Sequence, residues 1–231
     1  MHKKGFIFDL DGVIVDTAKY HFLAWKKLAK SIGVDFSEAQ NEQLKGVSRV
    51  RSLEKILEWG NQTLSDEDFK NLMSKKNEDY LSYINKMDAS EILPDVSKVL
   101  DFLIENKQAI ALGSASKNAT PILKKVHLLE KFEAIVDGND VSKAKPDPEV
   151  FLIGAKLLRV HPKDCIVFED SVAGVQAANS ANMISIGIGD KSVLHEADFI
   201  FKDFTEMSQE FIEQIISGQI RKQSNNLSIN N

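Results

Sequence analysis

The apolar positions of this chain follow two different patterns, and the change between them divides the sequence. A short apolar run at residues 6–8 predicts a buried strand. Residues 15–88 then carry apolar side chains at helical spacing, and Ser48 and Ser65 are placed to cap two of the helices. From residue 92 onward, short apolar runs alternate with helical segments. Strands that alternate with helices in this way are typical of a parallel sheet with right-handed crossovers.

These patterns predict a doubly wound α/β core with a small all-helical cap inserted after its first strand. The core is predicted from residues 1–14 and 89–231, and the cap from residues 15–88. The later strands are predicted at residues 109–112, 134–136, 166–168 and 184–186, and the later helices at 96–105, 118–127, 149–158 and 172–179. The last segment, about 218–231, is polar and rich in Asn and Ser, and we expect it to be disordered.

Composition and charge argue against several classes of protein. Hydrophobic residues make up 43% and charged residues 27% of the 231 residues, as in ordinary globular proteins. The formal net charge of −5 provides no basic surface, so neither nucleic acid nor a membrane is an expected partner. No apolar run resembles a signal peptide or a membrane span. The single cysteine, Cys165, excludes an internal disulfide. We expect a cytoplasmic enzyme, and a monomer because no exposed apolar stripe stands out.

Two acidic residues follow the first predicted strand directly. Asp9 and Asp11 lie two positions apart, so in an extended chain their side chains point to the same side. Two carboxylates held close together repel each other unless a cation or a shared proton offsets the charge. With a magnesium ion present, one carboxylate can act as a nucleophile and the other as a proton donor and acceptor in phosphoryl transfer. The alternative is a solvated Asp-Gly turn that merely ends the strand.

Polar groups also follow three of the later strands, and ligands bind at these strand ends in open parallel sheets. Ser114 and Ser116 follow the second predicted strand, where they could surround an anion or simply cap a helix. Lys145 lies in a proline-stiffened loop and could neutralise a phosphoryl group, or be an ordinary surface lysine. Glu169 and Asp170 follow the fourth strand and offer oxygen ligands for Mg²⁺ or a helix cap.

The order of these features resembles the haloacid dehalogenase superfamily of phosphotransferases. Four segments carry the resemblance, which extends over the whole chain: FDLDGVIVD at 8–16, GSASKN at 113–118, KPDP at 145–148 and FEDS at 168–171. The resemblance implies that Asp9 is the nucleophile, that Asp11 is the general acid/base and that Mg²⁺ is the cofactor. The implied Mg²⁺ ligands are Asp9, the carbonyl group of Asp11 and Asp170, with Glu169 as a more distant or alternative ligand. The residues implied to hold the transferring phosphate are Ser114, Ala115 and Lys145.

Within the superfamily, the predicted cap is similar to that of small-capped mutases acting on hexose phosphates. The matching segments are DTAKYHFLAWKKLA at 16–29, NEQLKGVSR at 41–49, Ser52, KKN at 75–77 and SASKN at 114–118. This resemblance implies a phosphorylated hexose as the substrate. It implies interconversion of β-D-glucose 1-phosphate and glucose 6-phosphate through β-glucose 1,6-bisphosphate, which also serves as the primer.

The same resemblance implies roles for the cap residues and the adjoining core loop. A mutase must hold a second, non-reacting phosphate, which a guanidinium can bind in a bidentate manner. The residues expected around this phosphate are Arg49, Ser116, Lys117 and Asn118. The residues expected to couple cap closure to the position of Asp11 are Thr17, His21 and Lys45. The residues expected to contact the sugar are Gly46, Val47, Ser48, Ser52, Lys76 and Trp25, of which Trp25 is also suited to packing within the cap.

Other functions stay open at this point. A sugar-phosphate phosphatase of the same fold would share the first half-reaction, because only the group that attacks the phospho-aspartate differs. Mutases acting on phosphorylated disaccharides or other hexoses are also compatible with the fold. A non-catalytic binding module is disfavoured because Asp9, Asp11, Lys145 and Asp170 are all present. Nucleotide binding has no support, since residues 187–189 lack the third glycine of a dinucleotide fingerprint.

Overall fold

The computed structural model of the chain describes residues 3–220 and Lys222. Within these residues, six strands form a parallel sheet in the order β3-β2-β1-β4-β5-β6. The strands are β1 Gly5–Phe8, β2 Ala109–Gly113, β3 Ala134–Val136, β4 Cys165–Glu169, β5 Ile184–Ile188 and β6 Phe199–Phe201. The strand order reverses between β1 and β4, and the carboxyl ends of strands at such a switch point form a ligand crevice.

Helices occupy the connections between the strands and a long insertion after β1. The insertion contains α1 Ala18–Ser31, α2 Glu38–Glu42, α3 Arg49–Gly60 and α4 Asp66–Ile84. The later helices are α5 Val96–Glu105, α6 Ala119–Lys125, α7 Glu149–Leu158, α8 Val172–Ser180 and α9 Gln209–Ser217. The 3₁₀ turns are Ala89–Glu91, Leu129–Lys131, Pro162–Asp164 and Phe204–Glu206. The parallel sheet and the helical insertion after β1 confirm the predicted fold class, whereas the division into two domains stays a prediction.

The central strand β1 is buried on both faces of the sheet. Phe8 stacks on Phe168 of β4 with ring centroids 4.5 Å apart, and Phe204 packs against both rings. Ile7 points to the opposite face and belongs to a second cluster with Phe151 of α7. Burial of such a side chain contributes about 1.5–3 kcal/mol relative to exposure. The strands that end at the predicted catalytic residues are therefore held firmly in place.

The helical insertion has a hydrophobic core of its own, formed by Trp25, Phe36, Leu53, Ile56 and their neighbours. Its helices begin where the sequence places their caps. The Ser48 hydroxyl accepts from the amide of Arg51 at 3.3 Å, and the Ser65 hydroxyl accepts from the amide of Asp68 at 3.1 Å. Each such cap contributes about 1 kcal/mol to helix stability.

Two backbone segments, residues 14–17 and 91–93, connect the insertion to the core, and we call them the junction. The two segments are hydrogen-bonded to each other. The amide of Asp16 donates to the carbonyl of Glu91, and the amide of Leu93 donates to the carbonyl of Ile14, both at 3.0 Å. The Glu91 carboxylate also accepts from the Lys19 ammonium and from the Tyr20 hydroxyl at 2.6 Å each. The first turn of α1 is thereby tied to the junction.

The predicted disordered segment, 218–231, lies outside the described residues except for Gly218–Ile220 and Lys222. These four residues have defined positions. The Lys222 ammonium donates to Oδ1 of Asn179 at 2.7 Å and to the carbonyl of Met183 at 2.6 Å. The Lys222 side chain thus finds acceptors at the end of α8, and disorder of this segment stays a prediction. None of the helices between residues 3 and 220 is long and apolar enough to cross a membrane.

Candidate active site

The carboxyl end of β1 delivers Asp9 to the switch point of the sheet. The Asp9 amide donates to the carbonyl of Phe168 at 2.9 Å, so the backbone of Asp9 continues the pairing of β1 with β4. Ser114 follows β2 in the same way, with its amide bonded to the carbonyl of Val136 at 3.0 Å. Because parallel strands end at one edge of the sheet, the polar residues after these strands lie around a common volume.

Lys145 is the buried cation at this edge. Its ammonium donates to Asp9 Oδ1 at 2.6 Å, to Glu169 Oε1 at 2.5 Å and to the carbonyl of Gly113 at 3.1 Å. Burial alone would lower the pKa of Lys145, but the carboxylates of Asp9 and Glu169 outweigh burial and raise it above its usual value. The ammonium therefore stays charged beside the nucleophile, and the reading of Lys145 as a surface lysine is wrong.

Glu169 is turned toward Lys145 and away from the cavity. Its second oxygen, Oε2, accepts from the amide and the hydroxyl of Ser171, both at 2.8 Å. Since both oxygens are occupied and the side chain does not line the cavity, the structure does not support Glu169 as a direct alternative Mg²⁺ ligand. Its position makes it the second counter-ion of Lys145.

Burial and neighbouring negative charge destabilise the ionised acids of the cavity. Burial raises the pKa of Asp9 well above its usual value, Lys145 opposes this, and the other carboxylates add to it. Burial and the charge of Glu169 raise the pKa of Asp170 to about 7, although Lys45 lies 3.5 Å from this carboxylate. The two lysines thus leave negative charge uncompensated.

A divalent cation fits this donor set. Gly12 has φ +82°, and a Cβ atom there would overlap Asp170 Oδ2, so glycine lets this carboxylate approach the Asp9–Asp11 segment. Within residues 3–220 and 222, no three His, Cys, Asp or Glu side chains form a cage for a metal. Mg²⁺ does not need one, because it prefers one or two carboxylates together with water and phosphate oxygens.

The loop after β2 is held in shape by its own serines. The amide of Ser116 donates to the hydroxyl oxygen of Ser114 at 3.1 Å, and the amide of Asn118 donates to that of Ser116 at 3.2 Å. The side-chain amide of Asn118 also donates to Oδ1 of Asn77 at 3.0 Å. Because Asn77 lies on α4, this hydrogen bond connects the core to the helical insertion directly over the loop.

Asp11 is surrounded by groups from the start of the insertion. The hydroxyl of Thr17, which is fully buried, donates to Asp11 Oδ1. Nε2 of His21 lies 3.8 Å from the same oxygen. Burial raises the pKa of Asp11, and the Thr17 hydrogen bond opposes this shift. A carboxyl group with a raised pKa is suited to accept and return a proton.

A buried lysine contacts the other nitrogen of His21. The ammonium of Lys76 lies 3.0 Å from Nδ1 of His21, 4.6 Å from the ring centroid of Trp25 and 4.7 Å from that of Tyr80. Burial, with the nearby charge of Arg49, lowers the pKa of Lys76 to about 7. Burial also lowers the pKa of His21 well below its usual value, so the imidazole is neutral. When Lys76 is protonated, its ammonium can only donate, so Nδ1 of His21 is then the acceptor and Nε2 carries the proton.

The two arginines at the start of α3 have different surroundings. Arg51 is exposed and pairs with Glu54 at 3.0 Å and with Glu58 at 2.9 Å. Arg49 lines the cavity, and it has no salt bridge to any residue of the described chain. Burial lowers the pKa of Arg49, as expected for a cation without a partner. An unpaired guanidinium on a cavity wall is suited to bind an anion.

These groups line one cavity of about 350 Å³ between the insertion and the carboxyl edge of the sheet. The predicted site residues that line it are Asp9, Asp11, His21, Trp25, Lys45, Gly46, Val47, Ser48, Arg49, Ser52, Lys76, Ser114, Ala115, Ser116, Lys117, Asn118, Lys145 and Asp170. Thr17 and Glu169 do not line it; Thr17 contacts Asp11 and Glu169 contacts Lys145. The acids that line the cavity, Asp9, Asp11 and Asp170, all lie on the core side, and the insertion contributes the basic side chains of Lys45, Arg49 and Lys76.

Comparison with known proteins gives the family. The model of the haloacid dehalogenase-like hydrolases matches residues 3–182. The chain belongs to this family.

Two relatives cover almost the whole chain. The present chain is 40% identical over 213 residues to the β-phosphoglucomutase of Bacillus subtilis. The aligned residues cover 91% of this chain and 94% of the relative. The crystal structure of β-phosphoglucomutase from Clostridium difficile superposes with a TM-score of 0.90 at 41% identity, over 94% of this chain and 99% of that chain. A phosphorylated carbohydrates phosphatase of Thermotoga maritima is 32% identical over 179 residues, 77% of this chain and 81% of the relative. These similarities confirm the resemblance to the superfamily and to hexose-phosphate mutases.

Some residues of this haloacid dehalogenase-like hydrolase were missed by the sequence analysis. Asn77 and Tyr80 lie one and four positions after Lys76 on α4, and both contact predicted site residues. Residues four positions apart share a helix face, so the assignment of Lys76 to the site could have indicated that Tyr80 also lies there. Ser142 and Lys143, which also line the cavity, precede Lys145 in a loop whose path the sequence pattern does not define.

Proposed function

We propose that this chain catalyses the β-phosphoglucomutase reaction, the interconversion of β-D-glucose 1-phosphate and glucose 6-phosphate. The observation that carries the proposal is the pairing of two cationic groups in one cavity. Lys145 lies beside Asp9, where a phosphoryl group would be transferred, and Arg49 of the insertion lines the same cavity without a salt bridge to any described residue. A substrate with two phosphates requires both groups, whereas a phosphatase requires only the first.

In the proposed reaction, Asp9 carries the phosphoryl group. The phospho-aspartate donates it to the 6-hydroxyl of β-glucose 1-phosphate, and Asp11 accepts the hydroxyl proton. The resulting β-glucose 1,6-bisphosphate turns end for end, and Asp9 attacks the phosphorus at C1. Asp11 returns its proton to the departing C1 oxygen, which releases glucose 6-phosphate and restores the phospho-aspartate. Acid/base catalysis of this kind typically contributes about 10²–10⁴-fold to the rate.

The dependence on Mg²⁺ follows from the family and from the acidic donor set. The carboxylates of Asp9 and Asp170 and the carbonyl group of Asp11 would hold the ion. When bound, Mg²⁺ stabilises negative charge on the transferring phosphoryl group. We propose β-glucose 1,6-bisphosphate as the primer that first phosphorylates Asp9, since its phosphates fit the two cationic groups of the cavity.

The helical insertion supports a mutase because it covers the nucleophile. We propose that residues 15–88 act as a closing cap over a core of residues 1–14 and 89–231. Lys45 lies 3.5 Å from Asp170, and Asn77 is bonded to Asn118, so contacts cross between the two parts on both sides of the cavity. A closed cap excludes water from the phospho-aspartate, which would otherwise be hydrolysed.

The remaining proposals concern partners and compartment. We propose that the substrate is a phosphorylated hexose, since the residues that line the cavity are suited to a sugar with two phosphates. The net charge of −5 supports an enzyme that binds neither nucleic acid nor membranes. We also propose a cytoplasmic monomer.

The test is phosphorus NMR on the purified protein with Mg²⁺, β-glucose 1-phosphate and a trace of β-glucose 1,6-bisphosphate. We expect conversion to glucose 6-phosphate with little free phosphate. The matched control is Asp9→Asn, which changes one atom of the nucleophile and should abolish turnover. Release of inorganic phosphate as the main product would make the protein a phosphatase and remove the assigned role of Arg49. Substantial turnover by Asp9→Asn would remove Asp9 from the role of nucleophile.

A further inference from the structure

A short segment before Lys145 separates two cavities of the protein, and we call residues 142–143 the wall segment. Ser142 and Lys143 line the candidate active-site cavity and also a second cavity of about 390 Å³ beside α7. Both residues are exposed, whereas Lys145, two positions later, is buried. Segments with few buried contacts are held least firmly by packing, so the position of the wall segment depends on its hydrogen bonds.

A single carboxylate accepts these hydrogen bonds. Oε2 of Glu149 accepts from the amide of Ser142 at 2.9 Å and from the amide of Lys143 at 2.6 Å. The Ser142 hydroxyl donates to the same carboxylate and lies 3.0 Å from each of its oxygens. The hydrogen bond from the Lys143 amide, together with those from Ser142, holds the pKa of Glu149 below its usual value. The carboxylate is therefore ionised, and its hydrogen bonds are charge-assisted.

Glu149 is itself anchored to a rigid part of the fold. It is the first residue of α7, whose apolar face is buried against the sheet. The amide of Glu149 donates to Oδ1 of Asp147 at 3.0 Å, and the amide of Asp147 donates to the carbonyl of Ala144 at 3.0 Å. The loop is therefore fastened to the start of α7 both before and after Lys145.

We propose that Glu149 is a positioning residue for Lys145, because its carboxylate ties the wall segment to α7 and so fixes the backbone that carries the Lys145 side chain. In the described structure the ammonium also donates to Asp9. The Asp9 carboxylate loses its charge when it becomes a phospho-aspartate, so this hydrogen bond weakens at the step that requires the ammonium. The loop then has to keep Lys145 in place. This inference rests on the proposed function, since it assigns Lys145 to the transferring phosphoryl group.

The variant that tests the inference is Glu149→Ala, and the measurement is the rate at which acetyl phosphate and Mg²⁺ convert Asp9 to phospho-aspartate. This single step requires Lys145 but neither a sugar nor a second phosphate. We expect the rate at saturating acetyl phosphate to fall about 10- to 100-fold, as for a reacting group displaced by up to 1 Å. The KM for acetyl phosphate should stay within about threefold, because Glu149 does not line the active-site cavity.

A second variant, Glu149→Gln, keeps the size of the side chain and one acceptor oxygen. It should therefore react at a rate between those of wild type and Glu149→Ala, and it provides the test if the alanine variant does not fold. Hydrogen exchange followed by mass spectrometry reports on the wall segment directly, since the amides of residues 142–143 should exchange faster in both variants.

The matched control is Glu206→Ala, which removes the same kind of hydrogen bond away from the cavity. Oε2 of Glu206 accepts from the amide of Lys202 at 2.9 Å, and neither residue lines the active-site cavity. This control should leave the rate of phospho-aspartate formation unchanged. An acid in the first turn of a helix can also be purely stabilising. In that case Glu149→Ala would have a lower thermal midpoint, and the folded variant would react at the wild-type rate.

Three outcomes would contradict the inference. They are a wild-type rate in Glu149→Ala despite faster exchange of the wall segment, an equal loss of rate in Glu206→Ala, and a loss confined to KM. The failure of the proposed function is a separate result, because phosphorylation of Asp9 is common to mutases and phosphatases. It would appear as the absence of sugar-phosphate interconversion by a wild-type enzyme that acetyl phosphate still phosphorylates.

Discussion

Gly46 of the cap and Ser171 of the core approach so closely that a Cβ atom on Gly46 would overlap the Ser171 hydroxyl oxygen. Gly46 also has φ +69°, a backbone conformation that glycine adopts without strain. The neighbouring residue, Lys45, lies 3.5 Å from Asp170. At this point the cap contacts the core through the backbone of Gly46, which has no side chain, directly beside the proposed Mg²⁺ ligand Asp170.

Substitution of Gly46 by alanine should hold the cap away from the core. We expect mutase turnover to fall by about 10²-fold, the usual result of misplacing a reacting group by about 1 Å. Hydrolysis of the phospho-aspartate should increase in the same variant, because water enters the gap. Both rates can be measured after phosphorylation of Asp9 by the bisphosphate.

The matched control for this substitution is Gly33→Ala. Gly33 has φ +75°, but no atom lies within 4 Å of the position of its Cβ. This variant carries the same backbone strain, about 1–2 kcal/mol, without the clash. Equal loss of turnover in Gly33→Ala and Gly46→Ala would mean that strain, and not cap closure, explains the effect.

Arg49→Ala should weaken binding of β-glucose 1,6-bisphosphate by about 10- to 100-fold, since hydrogen bonds to a charged group contribute about 1.5–3 kcal/mol. Phosphorylation of Asp9 by a small donor such as acetyl phosphate should be unchanged, because that reaction has no second phosphate. Binding can be followed by titration calorimetry and phosphorylation by the rate of phospho-aspartate formation. Arg51→Ala, on the same helix but paired with Glu54 and Glu58, should change neither. If Arg49→Ala lost bisphosphate binding and phospho-aspartate formation equally, Arg49 would only stabilise the cap and would not bind the second phosphate.

Lys76 should make the stability of the resting enzyme depend on pH. Its pKa is about 7 in the folded chain, against about 10.4 in the unfolded chain, so the unfolded state binds more protons between these values. The contribution of Lys76 to the free energy of unfolding therefore rises by about 1.4 kcal/mol per pH unit from pH 7 toward pH 10, and is smallest below pH 7.

Urea unfolding at several pH values measures this slope. In Lys76→Met the rise with pH should be reduced, and the variant should be more stable than wild type at pH 7. The exposed neighbour provides the control, since Lys75→Met should keep the wild-type slope. If the free energy of unfolding depended on pH equally in Lys76→Met and in wild type, the pKa of Lys76 would not be lowered by burial.

The apolar pattern was sufficient to predict β1 to β5 and α5 to α8 of the core, but α9, whose Ile212 and Ile215 are buried in the main core, was missed. The predicted helices at 96–105 and 149–158 have the bounds of α5 and α7, because each has an apolar face that packs on the sheet. The placement of Asp9, Lys145 and Asp170 around one volume also followed from the sequence, since residues after parallel strands lie at one edge.

Short or edge elements were missed for a physical reason. The strand β6 has three half-buried residues at the edge of the sheet, and α2 has five residues. Neither element is long enough for its apolar residues to show a recognisable strand or helix spacing. The side-chain directions at the site could not be predicted either. Glu169 faces Lys145 because the ammonium and Ser171 each bond one of its two oxygens. Tyr80 meets His21 only through the packing of α4 on α1.

The junction has a consequence for the order of events in the reaction. Asp9 ends a central strand that is bonded on both sides, whereas Asp11 pairs with Val15, which in turn pairs with Ile92. The proposed proton donor thus belongs to the segment that joins the insertion to the core, and the proposed nucleophile does not. We therefore expect a rotation of the cap about the junction to shift Asp11 while Asp9 stays in place. The group that attacks phosphorus would then be in position at all times, whereas the proton donor would reach its position only after the cap has closed.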